Sequence, residues 1–290
     1  MFDGFGTGRF STPDQVDIFY RIGGSGPPLL LLHGYPQNHA MWHLVAPGLA
    51  ERFTVVCPDL RGYGDSAKPA GGPDHSGYSK RAMAADQVAL MSHLGFHQFR
   101  VAGHDRGARV THRMTLDHPD AVERAAVLDI VPTRTVFEAI NQRMAMAYYH
   151  WFFLSQPHGL PERMIGADPD FYLLRKLQSW SRIPDAFTPM AVAEYRRCFR
   201  EPDCIHATCE DYRAGAGIDL IHDAADFGRN RVQCPLLVLW GGRGIVGDAY
   251  DVLAVWRDYA DDVQGRSIDC GHFLPEEAPA ETLSALAEFF

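Results

Sequence analysis

The stretch RVAGHDRGARVTHRM, residues 100–114, places an aspartate at the point where a predicted strand gives way to a predicted helix. Within it, GHDRG at residues 103–107 matches the pattern of a nucleophile elbow, a sharp strand-to-helix turn that exposes its central side chain at the top of a sheet. Asp105 takes the nucleophile position. Because an aspartate at a helix start also serves often as a plain N-cap, the elbow interpretation depends on the rest of the chain.

A carboxylate in the nucleophile position predicts a particular kind of reaction. Aspartate is a poor nucleophile for acyl transfer, but it can displace a leaving group from an sp3 carbon and form an ester with the substrate. The bond broken would then join carbon to a halogen or to oxygen.

Apolar segments on both sides of the elbow alternate with helix-like segments. Such alternation predicts an α/β fold with a mostly parallel sheet covered by helices on both faces. The predicted strands are VDIFYRIG (16–23), PPLLLLHG (27–34), TVVCPDL (54–60), FRVAGHD (99–105), VERAAVLDIVP (122–132) and CPLLVLW (234–240).

The alternation stops over residues 132–225, where aromatic and arginine-rich segments of helical pattern follow one another. We interpret this region as a helical cap inserted into the fold. The core then consists of residues 1–131 and 226–290.

Two loops supply candidate partners for the nucleophile. LHGYP, residues 32–36, follows a strand, and there the backbone N–H of Tyr35 can form an oxyanion hole with the N–H of Arg106. DCGHF, residues 269–273, places His272 before the last helix, in the nucleophile, acid, histidine order of α/β-hydrolases. His272 is the candidate general base.

The acid that orients His272 is less evident from the sequence. The strand 234–240 is followed by glycines, where α/β-hydrolases often carry an acid. Asp129, after the preceding strand, is the better candidate because it can hold the imidazole tautomer from the adjacent strand. Asp248 is the alternative.

Arg106 and Arg109 share one face of the first helical turn after the nucleophile. The helix dipole disfavours cations there, so folding alone gives no reason for them. Two guanidinium groups can hold a carboxylate and orient the neighbouring carbon for attack, which predicts a small 2-substituted carboxylic acid as substrate. Alternatively, either arginine pairs with a protein acid such as Glu138.

Five segments together resemble the fluoroacetate (haloacetate) dehalogenases of the α/β-hydrolase superfamily: GHDRGAR, LDIVPT, HWFFLSQP, CEDYRAGA and CGHFLPEEAP. The resemblance covers core and cap. It implies Asp105 as nucleophile, His272 and Asp129 as base and acid, and the Arg106 and Arg109 side chains as ligands of the substrate carboxylate. It also implies a homodimer, and neither a metal nor an organic cofactor is required.

The resemblance further implies a halide pocket in the cap, formed by His150, Trp151 and Tyr212. Fluoride is strongly hydrated, and an imidazole N–H, an indole N–H and a phenol O–H could replace part of its shell. The predicted reaction is hydrolysis of fluoroacetate or chloroacetate to glycolate and halide.

Two other functions stay open at this point. An epoxide hydrolase would use the same aspartates and histidine, with cap tyrosines such as Tyr148 or Tyr149 and Tyr212 protonating the epoxide oxygen, but it leaves the arginine pair unexplained. A non-catalytic carboxylate-binding protein of the same fold is the second alternative.

Composition excludes several partners. The 290 residues carry a net charge of -9 and no polybasic run, which argues against nucleic acid and anionic membranes as partners. The N-terminus lacks a secretory signal pattern, so we expect a cytoplasmic enzyme. The six cysteines lack the paired spacing of a disulfide framework or a zinc site.

Overall fold

Eight strands form a single sheet in the computed structural model, which describes all 290 residues. Their spatial order is β1-β2-β4-β3-β5-β6-β7-β8. β1 and β2 are antiparallel, as are β2 and β4, and every other neighbouring pair is parallel. The strands are β1 (Gly6–Ser11), β2 (Asp17–Gly23), β3 (Pro28–Leu32), β4 (Thr54–Pro58), β5 (Phe99–His104), β6 (Val122–Leu128), β7 (Leu236–Gly241) and β8 (Val263–Ile268).

Helices connect the strands and cover the sheet, which confirms the predicted fold class. Those of the core are α1 (Ala46–Leu49), α2 (Lys80–His93), α3 (Arg106–Asp117), α12 (Ile245–Ala249), α13 (Val252–Arg257), α14 (Leu274–Glu277) and α15 (Pro279–Phe289), with 3-10 turns at His39–Trp42 and Ser76–Tyr78. None of the helices is both long enough and apolar enough to span a membrane.

A purely helical insertion lies between β6 and β7. It consists of α4 (Thr133–Glu138), α5 (Gln142–Ala147), α6 (Tyr149–Leu154), α7 (Leu160–Gly166), α8 (Pro169–Trp180), α9 (Pro189–Phe199), α10 (Pro202–Ala216) and α11 (Ile218–Asp226). We keep the name cap for residues 132–225, as proposed from the sequence.

The strands found by sequence are the buried ones, and the ones missed lie at the sheet edges. Leu29, Leu30, Leu31 and Leu32 of β3 are fully buried, as expected of a strand covered on both faces. Most residues of the edge strands β1 and β8 are exposed or partly buried, and few of their side chains are apolar. Their sequences therefore give a weak strand signal.

Parallel strands bring the predicted functional residues to one edge of the sheet. The backbone N–H of Asp105, after β5, bonds the Leu128 carbonyl at 3.1 Å, and that of Asp129, after β6, bonds the Leu239 carbonyl at 2.8 Å. The carboxyl ends of parallel strands are where ligands bind in open α/β sheets. The fold thus gathers nucleophile, acid and base from three separate strand ends.

Candidate active site

Asp105 occupies a strained turn that only glycine neighbours permit. Its φ and ψ are 48° and -112°, an uncommon conformation for a residue with a side chain. A Cβ atom on Gly103 would lie 2.3 Å from the Gly107 carbonyl oxygen, and one on Gly107 would lie 2.4 Å from the His33 oxygen. The Asp105 side chain makes no capping hydrogen bond to α3, so it is no plain N-cap.

The two oxygens of the Asp105 carboxylate have different surroundings. Oδ1 accepts the backbone N–H of Tyr35 at 2.9 Å, in the loop after β3 where the sequence predicted an oxyanion-hole donor. A Cβ on Gly34 would lie 2.5 Å from the Asp105 Cβ, so glycine lets this loop approach. The second predicted donor, the backbone N–H of Arg106, makes no hydrogen bond to the carboxylate. Oδ2 is the freer oxygen and points towards His272, whose Nε2 lies 4.0 Å away.

His272 and Asp129 form a hydrogen-bonded pair beside the nucleophile. His272 Nδ1 lies 2.6 Å from Asp129 Oδ2, and the backbone N–H of Gly241 donates to Asp129 Oδ1 at 2.9 Å. These contacts fix the ring so that Nε2 faces Asp105, where it makes no hydrogen bond to the protein. The alternative acid, Asp248, lies at the surface and pairs with Arg143.

The environment of this pair sets the basicity of His272. Burial lowers the pKa of His272, but the hydrogen bond and charge of Asp129, with the charge of Asp105, outweigh burial and raise it above the ordinary value of 6.5. Burial raises the pKa of Asp129, and the hydrogen bond with His272 opposes that rise. The imidazole is thereby a stronger base than a free histidine.

Arg109 is a buried cation without an acidic partner. It is 4% exposed, and its Nη1 donates to the Val131 carbonyl at 2.9 Å and to Thr133 Oγ1 at 3.0 Å. The alternative partner, Glu138, pairs instead with Arg134. Burial, and then the charge of Arg106, lowers the pKa of Arg109, although a guanidinium keeps its proton in proteins. A buried charge of this kind calls for an anion.

Arg106 is held by an ion pair that joins core and cap. Its Nε donates to Asp211 Oδ2 at 2.9 Å and its Nη2 to Oδ1 at 2.6 Å, while Asp211 also accepts the Tyr63 hydroxyl at 2.6 Å and pairs with Lys80. The alternative prediction, pairing with a protein acid, therefore holds for Arg106, and the acid is Asp211. Only Nη1 lies outside the pairing with Asp211.

A cavity of about 250 Å³ lies between core and cap, in contact with the nucleophile. Its walls combine residues of the catalytic set with aromatic residues of the cap. They are Asp105, Arg109, Asp129, Met146, Ala147, Tyr148, Tyr149, His150, Trp151, Ser179, Trp180, Arg182, Gly244, Ile245 and His272. Arg106, Tyr35 and Tyr212 are not among its lining residues, but Arg106 and Tyr35 adjoin it through Asp105, and Tyr212 adjoins it through His150.

The predicted halide ligands come together as a cluster of rings. The ring of Tyr212 lies 5.7 Å from that of His150 and 6.3 Å from that of Trp151, measured between centroids. His150 Nδ1 and the Tyr212 hydroxyl are buried without a hydrogen-bond partner. Burial, with the charge of Lys176 next, holds the pKa of His150 well below its ordinary value, so the ring is neutral.

Sequence reasoning missed several residues of the wall, among them Trp180, Gly244 and Ile245. Trp180, at the end of α8, packs edge-on against His272 with ring centroids 5.4 Å apart. Gly244 and Ile245 belong to the segment WGGRGIVG, to which the sequence assigned no role. Its cluster of glycines after a buried strand was the available signal, since glycine permits close backbone approach.

Comparison with known proteins shows the family of the chain. Residues 27–279 match the family described as alpha/beta hydrolase fold. The chain is 49% identical over 290 residues to a fluoroacetate dehalogenase from Burkholderia sp, covering 100% of this chain and 95% of that protein. It is 36% identical over 277 residues to a soluble epoxide hydrolase from Corynebacterium sp. (strain C12), covering 94% and 93% of the two chains.

A solved structure of a protein from Nostoc sp PCC 7120, described as an alpha/beta hydrolase, superposes with a TM-score of 0.98 at 57% identity. The superposition covers 100% of this chain and 99% of that one. The match of residues 27–279 to the family and the superposition over the whole chain show that the chain belongs to the alpha/beta-hydrolase fold family.

Proposed function

We propose that the protein hydrolyses small 2-haloacids, such as fluoroacetate or chloroacetate, to glycolate and halide through an ester on Asp105. The observation that carries the proposal is Arg109, a buried cation without an acidic partner in the same cavity as Asp105. Similarity to a fluoroacetate dehalogenase over the whole chain supports the same reaction.

In the proposed first step, Arg109 holds the substrate carboxylate, with Nη1 of Arg106 as a second donor. Oδ2 of Asp105 attacks carbon 2 of the substrate, because Oδ1 is already bonded to the Tyr35 N–H. The carbon–halogen bond breaks, and the halide leaves with the electron pair. His150, Trp151 and Tyr212 receive it, and their neutral donors replace part of its hydration shell.

In the proposed second step, water hydrolyses the ester. Nε2 of His272 removes a proton from water, and the oxygen attacks Cγ of Asp105. Negative charge develops on Oδ1, where the Tyr35 N–H and the backbone N–H of Arg106 stabilise it. The bond between Cγ and the glycolate oxygen then breaks, and the glycolate oxygen takes the proton from His272. Asp105 is left as the carboxylic acid with the second proton of the water, and its loss to solvent restores the carboxylate.

We expect kcat to fall with decreasing pH along a limb whose midpoint lies above 6.5, if ester hydrolysis limits the rate. Only neutral imidazole can accept the proton. In the ester intermediate Asp105 is uncharged, but the hydrogen bond and charge of Asp129, the largest raising causes, remain and keep the pKa of His272 above that of a free histidine. Steady-state rates measured across pH give the midpoint. The halide burst of the first turnover needs no base and should change little over the same range. A limb centred below 6.5 would contradict this account.

Arg109→Leu should lower kcat/KM for chloroacetate about 100-fold, or ~3 kcal/mol, because the substrate carboxylate would enter a buried site without its cation. Chloroacetamide, which lacks the charge, provides the matched control and should lose far less. Halide release from both substrates gives the comparison. Equal losses for the two substrates would mean that Arg109 only supports the structure.

An epoxide hydrolase is the second candidate, favoured by the 36% identity to a soluble epoxide hydrolase and by Tyr148 in the cavity wall. The Tyr149 hydroxyl, also in the wall, accepts a hydrogen bond from Lys176 Nζ at 2.6 Å, which leaves its own proton free to be donated. Turnover of styrene oxide without halide release from either haloacid would favour this function. Carboxylate binding without turnover of either substrate class would favour the non-catalytic alternative.

We also propose that the enzyme acts in the cytoplasm as a homodimer. All six cysteines are free, which suits a reducing compartment. The dimer rests on the resemblance to the dehalogenase family, and sedimentation analysis of the purified protein tests it.

A further inference from the structure

Glu277, the last residue of α14, is a buried carboxylate that accepts four backbone N–H groups. Its Oε1 accepts from Phe273 at 2.8 Å. Its Oε2 accepts from Gly271 at 2.9 Å, from Arg182 at 2.7 Å and from Ile183 at 3.1 Å. No lysine, arginine or histidine forms an ion pair with it, so these backbone N–H groups are the direct partners of its charge.

The four donors belong to two segments that meet at the active site. Gly271 and Phe273 flank His272, the proposed base, in the loop after β8. Arg182 and Ile183 follow α8 in the cap, next to Trp180 in the cavity wall. A single side chain therefore holds the base loop of the core and a wall segment of the cap together.

Further contacts between the two segments point to the same junction. The backbone N–H of His272 donates to the Trp180 carbonyl at 3.1 Å. A Cβ on Gly271 would lie 2.6 Å from that oxygen and 2.9 Å from Glu277 Oε1. Only glycine permits this close approach of the two segments. The Glu277 carboxylate bonds both segments from the side of the core.

We propose that Glu277 is a positioning residue for ester hydrolysis, acting through His272. By fixing both backbone neighbours of His272 against the cap, it keeps Nε2 directed at the Asp105 ester. The displacement step needs no base and does not depend on this alignment. The substrate named here rests on the proposed function, whereas the role of Glu277 applies to hydrolysis of any Asp105 ester.

Glu277→Gln tests the proposal because it puts an amide NH2 against backbone N–H donors at nearly the same volume. We expect kcat for chloroacetate to fall on the order of 100-fold, as a misplacement of about 1 Å can cause. The first-turnover chloride burst should stay close to that of the wild type. Intact-mass analysis should then detect the Asp105 carboxymethyl ester accumulating during turnover.

Glu276→Gln is the matched control. Glu276 is buried in the same helix, but its Oε1 accepts the Tyr195 hydroxyl at 3.0 Å and its Oε2 accepts from Gln37 Nε2, and neither oxygen bonds the His272 loop. Burial raises the pKa of Glu276 to about 8, so an uncharged glutamine resembles its state at neutral pH. We expect this variant to keep wild-type kcat and to accumulate no ester.

Two results would overturn the proposal. One is an equal kcat in Glu277→Gln and Glu276→Gln. The other is a Glu277→Gln enzyme whose chloride burst slows as much as its steady-state turnover and that accumulates no Asp105 ester. If Glu277→Gln does not fold, Glu277→Asp, which draws the carboxylate back by one methylene, carries the same test. Absence of halide release by the wild type would defeat the proposed function instead. The ratio of kcat between Glu277→Gln and the wild type would then be measured with styrene oxide as substrate.

Discussion

Asp105→Asn should abolish halide release from chloroacetate, with kcat lowered by roughly 10,000-fold or more, the scale of loss when a catalytic nucleophile is removed. The neutral amide lacks the nucleophilic oxygen that displaces the halide. Asparagine has nearly the same shape and keeps a carbonyl oxygen for the Tyr35 N–H, so the elbow should remain intact. Chloride and fluoride release from freshly prepared protein provide the measurement.

Thermal unfolding of the Asp105→Asn protein provides its control. The aspartate sits in a strained turn and beside His272, so we expect the variant to be folded and no less stable than the wild type. Halide release at more than a few per cent of the wild-type rate, in protein whose mass retains the amide, would mean that another group attacks the substrate.

His272→Gln should stop the reaction halfway. The displacement step uses no base, so each enzyme molecule should release one halide ion. Water then lacks the imidazole that activates it, and kcat should fall roughly 10,000-fold. The ester on Asp105 should persist.

Rapid-quench halide analysis with intact-mass measurement separates the two steps for His272→Gln. We expect a burst equal to the enzyme concentration and a mass increase of one carboxymethyl group. Asp105→Asn is the matched control, with neither burst nor adduct. Sustained turnover by His272→Gln, or the absence of an adduct after a burst, would contradict the ester mechanism.

The sequence predicted those parts of the site that local motifs and sheet topology determine. Glycines around Asp105 signal the turn, because only residues without a Cβ fit between the elbow and its neighbouring backbone. Asp129 follows a predicted strand beside the elbow strand, at the same edge of the sheet, and His272 precedes the last helix, in the nucleophile, acid, histidine order of α/β-hydrolases. Hence the predicted partners Asp129 and His272 are bonded in the structure.

Contacts between core and cap were beyond sequence reasoning. Arg106 bonds Asp211, which lies 105 residues further along the chain, and no local pattern indicates which cap carboxylate would reach it. Glu277 likewise reaches Arg182 across 95 residues. Such pairs depend on how the inserted helices pack on the sheet, and no local sequence pattern predicts that packing. The edge strand β8 was not predicted for another reason, because few of its side chains are apolar.

Hydrolysis of chloroacetate in heavy-oxygen water, with enzyme in excess over substrate, tests the central claim most directly. If water attacks Cγ of Asp105, the hydroxyl oxygen of the first glycolate formed is the original, light oxygen of the Asp105 carboxylate. The heavy isotope then enters the Asp105 side chain, where peptide mass analysis detects it. Heavy oxygen in that first glycolate, with none in Asp105, would show that water attacks the substrate carbon itself and would contradict the aspartyl-ester mechanism.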